Sequence, residues 1–529
     1  MSDHSSTQGK LPRQIPFIIA NEACERFSFY GMRNILTPFL ISTLLLFLPE
    51  SERVGEAKHT FHTFVIGVYF FPLLGGWLAD RFFGKYRTVL WFSVIYCIGH
   101  ACLAIFENQL QGFYFGLFLI ALGSGGIKPL VASFMGDQFD QTNKHRANAV
   151  YDSFYWTINF GSFFASLLMP VFLKNYGAGV AFAIPGILMG MATLFFWMGR
   201  KKYVHVPPAA SNPDSFTRVV RTALLARAPG QGRPGLAVAV TGAVLALASF
   251  IQGLRTDFVI GACGALVLVL AFGGTGAAMQ LERARGQHPD EAVDGVRAVL
   301  RTLIIFALVT PFWSLFDQKA STWIVQANAM VPFSFQWLGE TYTFLPAQMQ
   351  ALNPALVMLI IPFNNLVLFP FLRRIGIEPT PLRRMGAGIA FTGLSWIVVG
   401  TIQVEMDSGV PVSMAWQILP YVILTFGEVL VSATGLEFAY SQAPASMKGA
   451  IMSFFNLTVT VGGLWVLVVN ASVKNDTVIN TIKASGYGVM AFQMYFFAAF
   501  ALLAALAFAL YARKYPMVDN YRSGDAATP

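Results

Sequence analysis

Charge is scarce in this chain. Only 12% of its 529 residues are Asp, Glu, Lys or Arg, about half the share of a soluble domain. Hydrophobic residues make up 55%, too many to hide in one soluble core. Cysteine is scarcer still. Cys24, Cys97, Cys102 and Cys263 all fall in predicted spans, which argues against a disulfide framework. The 7 histidines form no HxxxH or HExxH pattern, and no Gly-Lys-Ser/Thr phosphate loop occurs. A membrane enzyme working through metal, nucleotide or a nucleophile–base set is therefore disfavoured, and neither metal nor cofactor is expected. The polar start MSDHSSTQGKLPRQ, with no small-residue cleavage site after it, gives no sign of a removable signal peptide.

What the chain does have is apolar runs of about 20 residues, the length that crosses a ~30 Å bilayer as a helix. Lipid offers the backbone no hydrogen-bond partners, so only helices or a closed barrel can span it. The runs are continuous rather than alternating, which selects helices. Fourteen spans are predicted, at 15–46, 59–79, 87–106, 111–135, 148–172, 178–199, 235–253, 257–279, 299–325, 347–372, 385–403, 414–440, 448–470 and 488–512. An even count puts both termini on one side. Of the 36 Lys and Arg, 26 sort to that side, 6 to the other and 4 lie inside spans, so the terminal side is expected to be cytoplasmic. The net charge of +9 is thereby read as topology, and no nucleic acid is expected as partner.

Two basic loops repeat across the chain. DRFFGKYR at 80–87 follows the second span, and RRIGIEPTPLRR at 373–384 takes the matching place in the second half once the pair 235–279 is set aside. The expected organisation is a six-helix bundle at 1–200, a linker with an extra hairpin at 201–298, and a second six-helix bundle with a tail at 299–529. Such internal symmetry is a transporter signature, with the site near the midplane. The Pro/Ser/Gly-rich stretch 204–234 reads as a cytoplasmic linker. The hairpin 235–279, with Arg255 and Asp257 at its turn, reads as lipid-facing.

Charges inside a membrane are costly, about 3 kcal/mol each on insertion scales, and face a bundle interior or a watery cavity. In EACERFSFYG, Glu22 and Arg26 are four apart, Arg26 and Tyr30 four apart, and Arg26 and Arg33 seven apart, which places them on one helix face bordered by Glu25. Two carboxylates beside one arginine are poised to titrate. The alternative is a structural ion-pair network that only locks this helix to a neighbour. Lys128 lies deep in GSGGIKP, and Glu428 is the lone acid in the run ILPYVILTFGEVLVSATG.

GGWLADRFFGKYR at 75–87 resembles the loop motif of the major facilitator superfamily. EACERFSFYG, GSGGIKPLVASFMGDQF at 123–139, FYWTINFGS at 154–162 and FGEVLVSATGLEFAYSQAPASMKG at 426–449 resemble the proton-dependent oligopeptide transporter (POT) family. The match to that family's ExxERFxYYG has one Tyr replaced by Phe29. The resemblance covers nearly the whole chain and implies an all-α membrane protein of major facilitator fold, with two six-helix bundles and an extra two-helix hairpin.

It also implies roles. Glu22, Glu25 and Arg26 would carry proton coupling. His62 and Asp317, with Arg33, would form a second proton-handling group, although the residues alone are equally compatible with a hydrogen-bonded interfacial histidine. Lys128 would bind a substrate carboxylate or pair with Glu428 as a gating salt bridge. In a peptide pocket Arg33 and Lys128 would hold the carboxylate, and Glu428, Asn159 and Asn353 the amine. Tyr30, Tyr69, Tyr155, Trp313 and Phe455 match pocket-lining positions, with Gln318 and Ser432 beside them. Phe455 stands where Trp is common. Lys319 departs from the expected Gln, and either pairs with Asp317 or faces the outer vestibule. The expected activity is uptake of di- and tripeptides with protons, by a carrier in a bacterial inner membrane that works as a monomer, with oligomerisation left open. The nearest alternative is a relative carrying nitrate, amino acids or a peptide-like drug. A sensor or scaffold would need no buried charges in both halves.

Overall fold

The computed structural model describes residues 11–139, 147–208, 212–227, 232–337, 339–442 and 447–517. The chain ends read above as cytoplasmic, parts of the 204–234 linker (209–211 and 228–231) and residues 443–446 of the last motif lie outside the described residues. The chain is nearly all helix. In order it runs α1 Ile15–Phe39, α2 Glu50–Leu78, α3 Gly84–Ile105, α4 Leu110–Gly136, α5 Ala147–Met198, α6 Phe216–Leu225, α7 Pro234–Arg255, α8 Phe258–Met279, α9 Asp290–Phe316 and α10 Thr322–Asn328. A short antiparallel ribbon, β1 Ser334–Trp337 and β2 Glu340–Thr343, precedes α11 Leu352–Phe363, α12 Phe369–Arg374, α13 Pro381–Asp407, α14 Ile418–Gln442, α15 Lys448–Ser472, α16 Asp476–Ala484 and α17 Val489–Ala512.

Among the described residues, 11 helical stretches are long and apolar enough to cross a membrane. Two of them, Glu52–Ile105 and Ser153–Lys201, each hold two of the spans read from sequence, and the charge-bearing α1 adds another. The fourteen spans are therefore present. Their ends follow local chemistry. Glu50 and Glu52 sit in the first turn of α2, where the helix dipole favours acids. Asp257 caps α8 by accepting from the amides of Val259 at 3.0 Å and Ile260 at 2.9 Å. Inside α5, Gly177 adopts φ +83° and breaks the helix between two spans, a conformation that favours glycine.

Contacts group the chain into two units. One comprises 1–210, 318–366 and 402–425; the other comprises 211–317, 367–401 and 426–529. In the first unit α1 packs on α5, and α4 on both α2 and α3. Glycines let α4 approach α2: a methyl added at Gly125 would lie 2.6 Å from the Phe71 carbonyl oxygen. Overpacking costs typically ~1–3 kcal/mol, and more where backbone must move. Gly125→Leu is therefore expected to abolish the monodisperse elution peak of the solubilised protein. Gly76→Ala, where a methyl meets nothing within 4 Å, should leave that peak unchanged.

The basic loop motif at 80–87 has a structural purpose in this unit. Lys85 donates to both carboxylate oxygens of Asp137, at 2.9 and 2.8 Å, tying the start of α3 to the end of α4. Next to it, Gln138 accepts from Gln14 at 3.2 Å and from the Val204 amide at 2.9 Å. In the second unit α7 packs on α8, and α9 packs on α15 and α17. The Trp465 indole donates to Thr310 at 3.0 Å, and Thr302 meets Tyr515 at 2.8 Å.

Candidate proton and substrate site

In the first unit the charges of α1 converge. Arg26 Nε lies 3.0 Å from Glu22 Oε1 and also pairs with Glu25. All three are buried, and Glu25 is 0% exposed. Helical spacing does the positioning: one turn separates Glu22 from Arg26, and neighbouring Glu25 reaches the same guanidinium from the edge of that face. The cluster holds one more carboxylate than arginine. A proton on either carboxylate changes the charge balance of a buried cluster, so it is a site where protonation and local energy are coupled.

Lys128 is placed over rings. Its ammonium sits 3.6 Å from the Phe29 centroid and 4.7 Å from that of Tyr69, and it lies within electrostatic reach of Glu22. Phe29, the departure from the family's Tyr, is thus one wall of the lysine site. Arg33 lies 5.3 Å over the Phe61 ring. Such cation–π contacts are worth ~2 kcal/mol or more once desolvated.

His62 is fully buried and its Nε2 lies 2.9 Å from Ser321 Oγ. Ser321 Oγ is directed at the Gln318 carbonyl, 3.5 Å away, which can only accept. Either side of the His62–Ser321 contact can supply the proton, and His62 Nδ1 has no hydrogen-bond partner among the described residues.

Lys319 is buried at 5% exposure and donates to Asn353 Oδ1 at 2.9 Å. Burial corrects the expectation of a vestibule-facing lysine. Asn353 Nδ2 in turn donates to Thr425 Oγ1 at 3.0 Å, so the amide oxygen assigned to a substrate amine already accepts from an internal one.

The remaining candidates are spread over several environments. Asn159 is buried, with Nδ2 donating to the Tyr155 carbonyl at 3.0 Å, while Tyr155 itself is 43% exposed. Gln318 Oε1 accepts from Thr322 at 2.8 Å. Tyr30 is half-buried. In the second unit Trp313, Asp317 and Phe455 are buried. Glu428 and Ser432 are half-buried, and the Phe455 ring lies 5.5 Å from that of Phe306.

Sequence reading missed Ser321 and Thr425, whose roles depend on partners far away in the chain. It also missed a buried pair beneath α1. His100 Nε2 lies 3.0 Å from Ser28 Oγ, and Ser28 donates to the Pro185 carbonyl at 2.7 Å. A histidine inside the apolar run of α3 was the available signal.

Buried ionisable clusters on bilayer-length helices, with the extra hairpin α7–α8, define an integral membrane protein of the major facilitator fold. The sequence profile of the POT family matches residues 86–486, and the chain belongs to that family, one of transporters rather than enzymes. Peptide transporter 3 of Caenorhabditis elegans is 31% identical over 411 residues, covering 75% of this chain and 51% of that protein. Solute carrier family 15 member 2 of Mus musculus is 30% identical over 442 residues, covering 80% and 54%. The chain thus spans about half the length of these curated relatives. Among solved structures, an auto-inhibited POT family peptide transporter is 66% identical with a TM-score of 0.92, covering 97% of this chain and 99% of that one. The POT family transporter PepTSo is 67% identical, also with a TM-score of 0.92, covering 96% and 99%.

Proposed function

We propose that this chain is a proton-coupled symporter that takes up di- and tripeptides by alternating access. The observation that carries the reading is the buried cluster of Glu22, Glu25 and Arg26, with Lys128 within electrostatic reach of Glu22. A carrier coupled to protons needs a group whose protonation is tied to its burial, and this cluster provides one. His62, fully buried beside Ser321, is the second candidate for proton handling.

The peptide's ends set the rest. Its carboxylate is taken by Arg33 and Lys128, which lie over the rings of Phe61 and of Phe29 and Tyr69 respectively. Its amine is taken by Asn353 with Asn159 and Glu428. Tyr30, Tyr69, Tyr155, Trp313, Phe455, Gln318 and Ser432 line the space between, and Asp317 joins His62 in proton handling. The bundles are 1–200 and 299–529, joined by 201–298. Both termini face the cytoplasm of a bacterial inner membrane.

The driving force is adequate. One charge moving inward across ~100 mV yields about 2.3 kcal/mol, equivalent to about 50-fold accumulation before any pH gradient is added. In proteoliposomes with an inward proton gradient, labelled dialanine is expected to accumulate above equilibrium and to lose that excess when an ionophore collapses the gradient. Uptake that only equilibrates would leave a facilitator, and no dialanine uptake at all would remove the peptide assignment.

A further inference from the structure

Between α8 of the extra hairpin and α9 lies a groove of about 610 Å³. Its walls are apolar and open to the membrane: Leu270, Gly274 and Ala278 on one side, Ile304 and Ala307 on the other. Its basic end carries Arg297 and Arg301. We infer that this groove holds an anionic phospholipid, with one acyl chain along the walls and its phosphate at the two arginines.

Dimensions support the fit. From Arg297 to Ala307 is ten residues of helix, about 15 Å, one leaflet of a ~30 Å hydrocarbon core. A headgroup at the arginine level therefore places its chain end at the midplane, where the groove stops. The narrowness of α8 at this point comes from Gly274, where an added methyl would meet Leu300 at 3.5 Å.

Charge complementarity identifies the headgroup. The acids near the groove mouth are already shared. Arg285 pairs with Glu282, Asp290 and Asp294, and Arg297 pairs with Glu282 and sits 3.8 Å from Asp294. Arg301 makes no ion pair among the described residues, and the hydroxyls of Tyr511 and Tyr515 lie within its electrostatic reach. An exposed arginine without an ion pair among the described residues, above an apolar trough, suits a phosphodiester that carries a chain. A zwitterionic headgroup would bring its own cation against Arg301.

The test uses the purified full-length chain, stripped of lipid in detergent. Native mass spectrometry counts retained phosphatidylglycerol against phosphatidylcholine, and thermal unfolding is read with each lipid and with inorganic phosphate alone. Phosphatidylglycerol is expected to be retained preferentially and to raise Tm by several degrees more than phosphatidylcholine. Arg301→Gln should lose that difference while Arg301→Lys keeps it, and Gly274→Leu, which fills the trough, should lose it with both arginines intact. Equal responses to the two lipids, a full response in Arg301→Gln or Gly274→Leu, a shift reproduced by inorganic phosphate, or a dimer mass in place of a lipid adduct would each overturn the proposal. If Arg301→Gln does not fold, Arg301→Lys and Gly274→Leu decide it.

Discussion

Glu22→Gln and Glu25→Gln are each expected to abolish uphill dipeptide uptake while sparing counterflow exchange. Glutamine keeps the size and hydrogen-bonding capacity of the side chain but has no proton to bind or release at physiological pH. Either change leaves Arg26 paired with a single carboxylate in place of two. Such a pair is at ease buried and gives the carrier no reason to pick up a proton. Peptide can still cross when peptide waits on both sides, because exchange needs no net proton movement. The expected readout is an accumulation ratio falling from about 50 to unity. Counterflow should stay within severalfold of the unaltered protein. Gradient-driven accumulation persisting in both variants would reduce the cluster to a structural lock on α1.

Lys319→Met is expected to lower the KM for dialanine by about tenfold. A lysine ammonium can only donate, so the Asn353 oxygen must face it, which turns Nδ2 toward the Thr425 hydroxyl. A peptide ammonium docking at Asn353 has to displace the internal one. Hydrogen bonds to charged groups contribute ~1.5–3 kcal/mol net, and 1.4 kcal/mol is about a factor of ten in affinity. Methionine retains the length and apolar stem while removing the competitor. N-acetylated dialanine, which has no ammonium, should bind both forms equally. A KM unchanged for the free-amine peptide would move the amine site away from Asn353.

The spans were legible because lipid forces continuous apolar runs, and nothing in the fold overrides that rule. Their interruptions were not. The span read as 299–325 is α9 ending at Phe316, a tight turn over Asp317–Ala320 and then α10. The span 347–372 begins in a tight turn at Pro346–Ala351 and widens to a π-helical turn over Asn364–Leu368. These local changes of winding leave composition unaltered. The cluster on α1 was legible for the opposite reason: its partners lie within one helical turn, so spacing alone determines the contact. The bonds of His62 to Ser321 and of Lys319 to Asn353 join separate elements, and a single sequence carries no record of which distant hydroxyl or amide will be the neighbour.

The bond between His62 and Ser321 also sets a schedule. Its two ends are 259 residues apart, and Gln350 Nε2 donates back to the Asn34 carbonyl across 316. At synthesis rates of about 5–20 residues per second, His62 waits roughly 13–50 s for its partner to emerge. The first helices therefore enter the membrane with buried polar groups still unmet. They must hold together through contacts among α1 to α5 until the chain past residue 321 has been made. The close glycine packing of α2 on α4 and the clasp of Lys85 on Asp137 are all available before residue 140 is synthesised. They are the local contacts that keep an unfinished chain assembled while its later half arrives.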